Sequence, residues 1–512
     1  MRSQISRRSF LKLLALLPLL KVEVPHFIGK AKNMPQNPER PNILILVFDA
    51  LSAKHMSVYG YNRETTPNLA RFAKRATVYH AHYAGGNHTS PGVASILTGT
   101  YPWSHCGFHI HGTVAESYKE KNLFSVFSAG TCHRIAYSHN LLVTSLLHQF
   151  REDVDVFKKT RDLCLIDDQF SDQVFPNDFN VAFWSESHLF REGKSPPSSL
   201  FLSLFNRMWR FTHKKKLMKE YGSLFPRGLP HLHSLFFILE HAIDWIEVEL
   251  SRSPQPFLAY FHLLPPHEPY LPRREFLGLF DGGWTPMAKA SHFFSEGHSD
   301  EFLNQQRREY DEYIAYADAE FGRLYDFMAQ IGMLDNTYGV FTSDHGEMFE
   351  RGIRGHITPT LYEPVIRVPL LISKPGQRRR KDVYTPTSCV DLLPTLLHVT
   401  GQIIPDWCEG KILPTFGGKK AHSECSVFVV EAKSNPKLAP LTKGTVAMIK
   451  GQYKLIHYFG YDGYESEYEL YDLANDPEEM EDLCASRKSV AADLKSELEE
   501  KLKGISQPYL VK

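Results

Sequence analysis

The hydrophobic positions of the chain form short continuous runs that alternate with segments of helical spacing. The runs at 42–50 and 257–267 are mostly apolar and end in polar residues, which is typical of strands buried on both faces of a parallel sheet. Two further runs, 337–347 and 366–373, have the same character. In 310–328 the apolar residues recur three or four positions apart, which predicts a helix with one buried stripe. The pattern therefore predicts an α/β fold with a mostly parallel central sheet sandwiched by helices.

The C-terminal part of the chain follows a different pattern. Residues 444–459 and 468–476 alternate apolar and polar positions between turn residues, which predicts short antiparallel strands. A charged segment near 484–503 predicts a final helix. We therefore expect a larger α/β domain at 39–400 and a small antiparallel subdomain at 401–512 that packs on it.

Residues 1–38 have the pattern of a targeting segment and its linker. A paired arginine in SRRSFLK precedes a short apolar run, the layout of a twin-arginine export signal. The run is shorter than the ~20 residues that span a bilayer. The sequence thus predicts an extracytoplasmic protein, whether periplasmic, secreted or anchored by an uncleaved signal, with the twin-arginine export machinery as a partner. The alternative is a basic start before a buried helix.

Charge and cysteine content argue against several other classes of protein. The 512 residues include 58 basic and 58 acidic side chains, so no global positive field favours nucleic acid as a partner. The 7 cysteines contain no C-x-x-C pair, which argues against a zinc module or a dense disulfide framework.

The segment 195–221 is rich in apolar and aromatic residues and ends in lysines. Two interpretations stay open from the sequence. It is either an insertion helix with a solvated basic end, or an interfacial helix that makes a peripheral membrane contact or approaches a lipid-like substrate.

Residues able to bind a metal follow the predicted strands and precede one predicted helix. Asp49 ends the first run, Thr89 stands at a turn before a helix of small residues, and Asp344 and His345 follow a later strand. Carboxylate and hydroxyl oxygens with one imidazole suit a divalent metal ion such as Mn, Zn, Mg or Ca. Each residue alone is typical of a turn or a helix cap. The prediction is that all four share one cation.

Together, several segments resemble the sulfatase family of the alkaline-phosphatase superfamily. The segments that carry the resemblance are RPNILILVFDALSAKHMSVYGYNRETTPNLARFA, TSPGVASILTGTYP, LPPHEPY, TSDHGE, TLYEPVIRVPLLISKPG, and GQYKLIHY with YELYDLANDPEEMEDL. They cover roughly 40–135 and 255–485 in the family's order. The resemblance implies an alkaline phosphatase-like fold and metal-dependent hydrolysis of an ester. It also implies that 135–255, which matches weakly, is a variable insertion that shapes the substrate pocket.

The chain departs from the family at the nucleophile. Family sulfatases carry Cys or Ser in a C/S-x-P-S-R motif and convert it to formylglycine, whereas the matching residues here are Thr89, Ser90, Pro91, Gly92 and Val93. Threonine cannot give that aldehyde. Its hydroxyl can act directly as a nucleophile if a metal lowers its pKa, and a helix N-terminus stabilises both an alkoxide and an anionic group. The alternative is that Thr89 only caps the helix, and the two roles are compatible.

The family's sulfate-binding clamp is also missing. By resemblance, its arginine and two lysines correspond to Val93, about Ser138, and Thr358. Histidines remain nearby, at His267 and His356, and imidazole can bind an anionic oxygen or protonate a leaving alcohol. His267 matches the family's leaving-group position, which implies a role as general acid or oxyanion contact. His356 is a second candidate at a spacing one residue longer. Either can instead be an ordinary turn histidine.

The favoured function is an exported, metal-dependent ester hydrolase or transferase with Thr89 as nucleophile, acting on phosphodiester or phosphonate-type substrates. The expected partner is an anionic ester substrate, with an envelope glycan or a lipid head group as candidates. Two alternatives stay open. One is a sulfuric ester hydrolase acting on surface glycans, and the other is an inactive surface protein that binds anionic glycans.

Overall fold

The computed structural model describes most of the chain between Arg40 and Leu510. The described residues are 40–110, 112–127, 132–165, 200–232, 235–417, 425–436, 440–464 and 467–510. They all belong to one structural unit, Gln36–Lys512. The predicted export signal and linker at 1–38 lie outside the described residues.

The strands are numbered in chain order. They are β1 Asn42–Phe48, β2 Thr77–Tyr79, β3 His82–Tyr83, β4 His133–Ser138, β5 Val156–Lys158, β6 His231–Leu232, β7 Leu235–Phe236, β8 Phe257–Leu263, β9 Thr337–Thr342, β10 Met348–Glu350, β11 Ile353–Gly355, β12 Leu370–Ser373, β13 Lys381–Val383, β14 Thr387–Ser388, β15 Val427–Glu431, β16 Gly444–Lys450, β17 Tyr453–Phe459 and β18 Tyr468–Asp472.

The helices are numbered in the same way. They are α1 Pro67–Ala73, α2 Thr89–Thr98, α3 Pro102–His105, α4 Leu123–Val126, α5 Leu141–Gln149, α6 Leu200–Tyr221, α7 Leu239–Arg252, α8 Asp300–Gln330, α9 Glu363–Ile366, α10 Leu392–Val399 and α11 Lys488–Leu510. No helix among the described residues is both long and apolar enough to cross a membrane.

The central sheet has eight strands in the order β13-β2-β12-β9-β1-β8-β4-β5. Strands β9, β1, β8, β4 and β5 pair in parallel, and β12 runs antiparallel between β9 and β2. The mostly parallel sheet predicted from the sequence is confirmed. Because the carboxyl ends of parallel strands meet at one edge, the residues that follow β1, β8 and β9 lie close together.

Both faces of the central sheet are covered, as the alternation along β1 shows. Ile43, Ile45 and Val47 pack in one hydrophobic core, which includes residues of α2 and α10. The intervening residues Leu44 and Leu46 pack in another, which includes residues of α7 and α8. Since successive side chains of a strand point to opposite faces, a continuous apolar run requires two covered faces. The α/β sandwich follows from this arrangement.

The small C-terminal sheet is a meander of antiparallel strands, β15-β16-β17-β18. Its first strand also alternates between two environments: Phe428 and Val430 belong to the core that contains α2, and Val427 and Val429 to a third cluster. The predicted antiparallel subdomain is confirmed, and it packs close to the helix that carries Thr89.

Element boundaries differ from the sequence prediction in a few places. The run 366–373 is not one strand, because α9 ends at Ile366 and β12 begins only at Leu370. The predicted helix at 310–328 is the C-terminal part of α8. Within 135–255, the strands β4 and β5 belong to the central sheet.

Candidate active site

The candidate site lies at the carboxyl edge of the central sheet. Asp49 directly follows β1, and Asp344 and His345 come shortly after β9, the strand that pairs with β1 in parallel. Thr89 is the first residue of α2. Parallel pairing therefore brings together residues that are far apart in the sequence.

All four predicted metal-binding residues meet at this edge. Nε2 of His345 lies 3.5 Å from Oδ1 of Asp49 and 3.6 Å from Oδ2 of Asp344. One ligand atom from each of these three residues lies within 4.8 Å of the others. Oγ1 of Thr89 is 3.4 Å from the same His345 nitrogen.

Two carboxylate oxygens of this cluster fit a bound cation. Both side chains are completely buried, and Oδ1 of Asp49 and Oδ2 of Asp344 have no hydrogen-bond partner within the described part of the chain, only longer contacts with buried imidazoles. A buried carboxylate oxygen without a donor is costly. Two carboxylates, one imidazole and one hydroxyl are a suitable donor set for a divalent metal ion, so the residues present fit the predicted group.

Two residues that the sequence analysis did not identify hold the other oxygen of Asp49. Asn140 Nδ2 donates to Asp49 Oδ2 at 2.6 Å, and His262 Nε2 lies 3.0 Å from it. Asn140 caps α5 just after β4, and His262 is near the end of β8. A signal was available, since both are polar residues at the carboxyl end of neighbouring strands. No motif distinguishes them from ordinary capping or core residues.

The backbone around the nucleophile position is shaped for close contact. A Cβ at Gly92 would lie 2.2 Å from the carbonyl oxygen of Asp344, so only glycine lets α2 approach the metal-binding loop. Ala50, next to Asp49, has a φ of 59°, a left-handed conformation that costs an alanine roughly 1–2 kcal/mol. Its N–H donates to Asp344 Oδ1 at 3.3 Å. The strained turn thereby links the two carboxylates.

Both predicted histidines stand beside this cluster. The ring centroid of His356 is 4.2 Å from that of His345 and 5.0 Å from that of His267. Nδ1 of His356 lies 3.2 Å from a carboxylate oxygen of buried Glu347. Nδ1 of His267 contacts the carbonyl of Glu268 at 2.8 Å. Glu347 was missed from the sequence, although it stands in the TSDHGE segment.

Burial and charge set the protonation of these groups. With no cation bound, burial lowers the pKa of His345, but the carboxylates of Asp344 and Asp49 outweigh it and raise this pKa to about 9, and a bound cation would displace that proton. Burial also raises the pKa of Asp49, yet the charge of His267, the hydrogen bond from His262 and the nearby His345 hold it well below its usual value. For His356, burial and the neighbouring histidines lower the pKa well below its ordinary value. His356 is therefore neutral at neutral pH.

The positions of the missing clamp carry no cation in the folded chain. Val93 is fully buried in the core. Ser138 Oγ accepts from the N–H of Asn140 at 2.9 Å, and Thr358 Oγ1 contacts Thr360 Oγ1 at 3.1 Å. Any positive charge that faces the anionic substrate group must therefore come from elsewhere in the site.

The fold is an α/β sandwich of the alkaline-phosphatase type with a candidate metal site at its sheet edge. The sulfatase family model matches residues 41–402, and the model of the C-terminal part of N-sulphoglucosamine sulphohydrolase matches residues 358–507. The chain therefore belongs to the sulfatase family, as its motifs predicted, and it is an ester-hydrolysing enzyme.

Individual relatives have low sequence identity, but the similarity covers most of both chains. A choline-sulfatase of Rhizobium meliloti is 24% identical over 469 residues, which is 87% of this chain and 82% of that protein. The phosphonate monoester hydrolase of Agrobacterium radiobacter has a similar fold, with a TM-score of 0.61 at 18% identity, covering 91% of this chain and 96% of that one. A protein solved with its substrate D-glucosamine-2-N,6-O-disulfate gives a TM-score of 0.65 at 18% identity, covering 92% of this chain and 100% of that one. These two structural likenesses support the fold.

Proposed function

We propose that the chain is an exported, metal-dependent ester hydrolase with Thr89 as its nucleophile and with phosphodiester or phosphonate-type esters as its favoured substrates. One observation carries the proposal: the Thr89 hydroxyl lies 3.4 Å from Nε2 of His345, beside the carboxylates of Asp49 and Asp344. As the first residue of α2, Thr89 also stands where free helix N–H groups favour an anionic substrate group.

The bond changes are those of a double displacement. A divalent cation held by Asp49, Asp344 and His345 would lower the pKa of a neighbouring hydroxyl and neutralise charge on the substrate. The Thr89 hydroxyl gives up its proton to solvent, and its oxygen forms a bond to phosphorus while the bond from phosphorus to the leaving alcohol breaks. Water then attacks the phosphothreonine, and its oxygen stays on phosphorus while the threonine oxygen regains a proton.

We assign the histidines on either side of the cluster different tasks. His267 is partly exposed, so a leaving alcohol beside it has a route to solvent, and its imidazole would donate the proton that the alkoxide needs. His356 is buried and its Nδ1 is held by Glu347. Burial raises the pKa of Glu347 to about 7, so a protonated Glu347 would donate to Nδ1 and leave the other nitrogen of His356 protonated, able to donate to a substrate oxygen.

Two features support phosphorus over sulfur as the reacting centre. Threonine at position 89 cannot supply the formylglycine that family sulfatases use, and the positions of the sulfate clamp hold Val93, Ser138 and Thr358. Sulfate-ester hydrolysis stays the second candidate, because the relatives include a choline-sulfatase. The fold hosts both chemistries, since a phosphonate monoester hydrolase and a protein bound to a sulfated sugar share it.

Trapping the intermediate tests nucleophile and reaction together. The protein is mixed with an aryl phosphodiester, quenched in acid and digested. The mass of the peptide containing position 89 is then measured by mass spectrometry. We expect an added phosphoryl group on that peptide in the wild type and in Ser90→Ala, but none in Thr89→Ala. Unmodified peptide during steady turnover would contradict the proposal.

Paired substrates separate the alternatives. We expect a higher kcat/KM for an aryl phosphodiester than for the matching aryl sulfate, whereas the reverse order would support the sulfatase alternative. If neither the wild type nor Thr89→Ala turns over any of these esters while both bind anionic glycans, the inactive binding protein is favoured instead.

We further propose export through the twin-arginine pathway, which fits an envelope glycan or a lipid head group as the natural ester. The support is the SRRSFLK motif. Replacing Arg7 and Arg8 together by lysine should retain the protein in the cytoplasm, while Arg2→Lys should not. Unchanged fractionation of the double variant would contradict export by this route.

We also propose that α6 makes a peripheral contact with an anionic membrane surface. Leu204, Met208 and Phe211 recur on one side of this helix and are 45%, 68% and 59% exposed, and Lys214 and Lys215 follow. Apolar and basic side chains together suit a lipid interface. Met208→Glu with Phe211→Glu should abolish cosedimentation with phosphatidylserine vesicles, and persistent binding would refute the contact.

A further inference from the structure

The segment 430–435, which begins in β15 of the C-terminal sheet, packs beside the loop that precedes α2. The N–H of Val430, on β15, donates to the carbonyl of Gly85 at 3.0 Å. Five residues later, the carbonyl of Asn435 lies 2.5 Å from Nε2 of His109. The packing is close, because a Cβ at Gly86 would lie 3.0 Å from the carbonyl oxygen of Val430. The chain between these two contacts is therefore held against the loop that leads to α2.

Lys433 lies between the two contacts and carries an incompletely paired ammonium group. Its Nζ is buried and has no hydrogen-bond partner in the part of the chain that the structure describes. It forms one ion pair, with Oε1 of Glu431 at 3.4 Å. The other oxygen of Glu431 accepts from the hydroxyl of Tyr461 at 2.6 Å. A lysine ammonium offers three donors, so this group, on a side chain that is 20% exposed, retains capacity for an anionic ligand.

The segment that carries Lys433 packs against the residues just before Thr89. Val430 is hydrogen-bonded to Gly85, and its carbonyl oxygen lies close to Gly86, three residues before Thr89. The ammonium group therefore belongs to a segment that contacts the loop leading to the candidate nucleophile.

The same loop links Lys433 to a position where the family clamp is missing. Nδ2 of Asn87 donates to the carbonyls of Thr358 at 2.7 Å and of His356 at 2.9 Å. Residues 85–88 thus contact the segment around Thr358 on one side and the segment 430–435, which contains Lys433, on another. Where the family resemblance places a lysine at 358, this chain has a lysine on the neighbouring segment.

We propose that Lys433 binds an anionic oxygen of the ester group that reacts at Thr89, so that the C-terminal sheet supplies the cation absent from the usual clamp. This inference rests on the proposed function. It names the substrate class further: an ester whose reacting group keeps at least one negative charge in the bound state. An uncharged phosphotriester would gain nothing from Lys433.

Direct anion binding tests the role of Lys433 without turnover. Inorganic phosphate is titrated calorimetrically into the full-length Thr89→Ala protein containing its divalent cation, and then into the same protein with Lys433→Ala or Lys450→Ala. Lys450 is the matched control, since it lies on the same sheet and pairs with Glu497 at 2.5 Å on the surface. We expect Lys433→Ala to weaken phosphate binding at least tenfold and Lys450→Ala to leave it unchanged. Equal affinity in both variants would refute the inference, whatever the nucleophile is.

Steady-state kinetics separates binding from a merely structural role. With Thr89 intact, Lys433→Ala should raise KM for an anionic phosphodiester at least tenfold with a smaller change in kcat, and Lys433→Arg should recover most of that loss. Glu431→Gln removes the competing carboxylate and should keep or improve the affinity for phosphate. If Lys433 served only to pair Glu431, Lys433→Ala and Glu431→Gln would weaken phosphate binding alike, which would overturn the proposal. The proposed function itself fails on a different result, namely full turnover by Thr89→Ala.

Discussion

Oγ1 of Thr89 lies 3.4 Å from Nε2 of His345, although 256 positions separate the two residues in the sequence. The contact exists because α2 begins at Thr89 and approaches the loop after β9 closely enough that only glycine fits at position 92. The proposed nucleophile and the candidate metal cluster are therefore positioned by packing of a helix on a sheet edge rather than by a local motif. Variants of the cluster should change ion binding more than folding.

Cation binding is expected to depend on Asp344. Its Oδ2 is buried without a hydrogen-bond partner among the described residues, so Asp344→Asn removes both a charge and a ligand. Metal at one hundred times its Kd should stabilise the wild type by about 2.7 kcal/mol, and this increase should disappear in the variant. Thermal unfolding after chelation, and again after adding Mn²⁺, Zn²⁺, Mg²⁺ or Ca²⁺, measures it.

The matched control for that experiment is Asp326→Asn on α8. The Asp326 side chain is 61% exposed and pairs with Arg71 at 2.9 Å, far from any role in the cluster. It should retain the full metal-dependent shift. A shift that survives in Asp344→Asn would show that the cation binds elsewhere.

Asn140 offers a way to separate positioning from folding. It donates to Asp49 Oδ2 and, through its own Oδ1, caps α5 by accepting from the N–H of Leu142 at 2.8 Å. Asn140→Ala should lower cation affinity about 10–100-fold and also destabilise the fold by about 1 kcal/mol through the lost cap. Asn140→Ser retains a capping hydroxyl but loses the donor to Asp49, so only the affinity should fall. Wild-type affinity in the serine variant would contradict a positioning role.

The sequence predicted the parts of this site that obey a periodic rule. Apolar runs ending in Asp49 and in Asp344 with His345 were recognisable as strands of a parallel sheet, whose ligands lie past the carboxyl ends. Asn140 and His262 obey the same rule, but single polar residues at strand ends are common. The role of Lys433 could not be predicted from the sequence, because its position depends on how the C-terminal sheet packs against the loop before α2. Such tertiary contacts leave no local pattern.

The stability of the fold should also depend on pH through Asp318. This buried carboxylate accepts from the N–H groups of Asn68 and Leu69 at the start of α1, each at 2.8 Å. Burial outweighs these hydrogen bonds and raises its pKa to about 6. The folded state therefore binds this proton more tightly than the unfolded state, so the contribution is favourable at low pH and is lost as pH rises through about 6.

Comparison with Asp318→Asn isolates that contribution. The free energy of unfolding of the wild type, relative to the variant, should fall by about 2–3 kcal/mol between pH 4 and pH 7.5, since one pKa unit corresponds to about 1.4 kcal/mol. Urea unfolding of both proteins across this range measures the difference. Parallel curves would show that Asp318 is ionised in the folded state throughout.

A buried ion cluster connects the C-terminal sheet to the candidate metal-binding loop that follows β9. Nζ of Lys454, on β17, lies 3.1 Å from Oε1 of Glu363 and also pairs with Glu479, and all three side chains are buried. Glu363 begins α9, and the carbonyl of Val365 in that helix accepts from the N–H of Gly346 at 2.6 Å, next to His345. Lys454 of the C-terminal sheet therefore supports the loop that follows β9 of the central sheet.

Removing this cation should be costly, because it leaves two carboxylates buried without their partner. We expect Lys454→Met to lower the free energy of unfolding by about 3–5 kcal/mol, and to weaken cation binding as well. Lys450→Met on the adjacent strand is the control, since its exposed pair with Glu497 should contribute less than about 1 kcal/mol. Adding Glu479→Gln to Lys454→Met should recover part of the loss, because one uncompensated charge is then gone. If Lys454→Met were no more destabilising than the Lys450 variant, the two parts of the chain would be joined by hydrophobic packing alone.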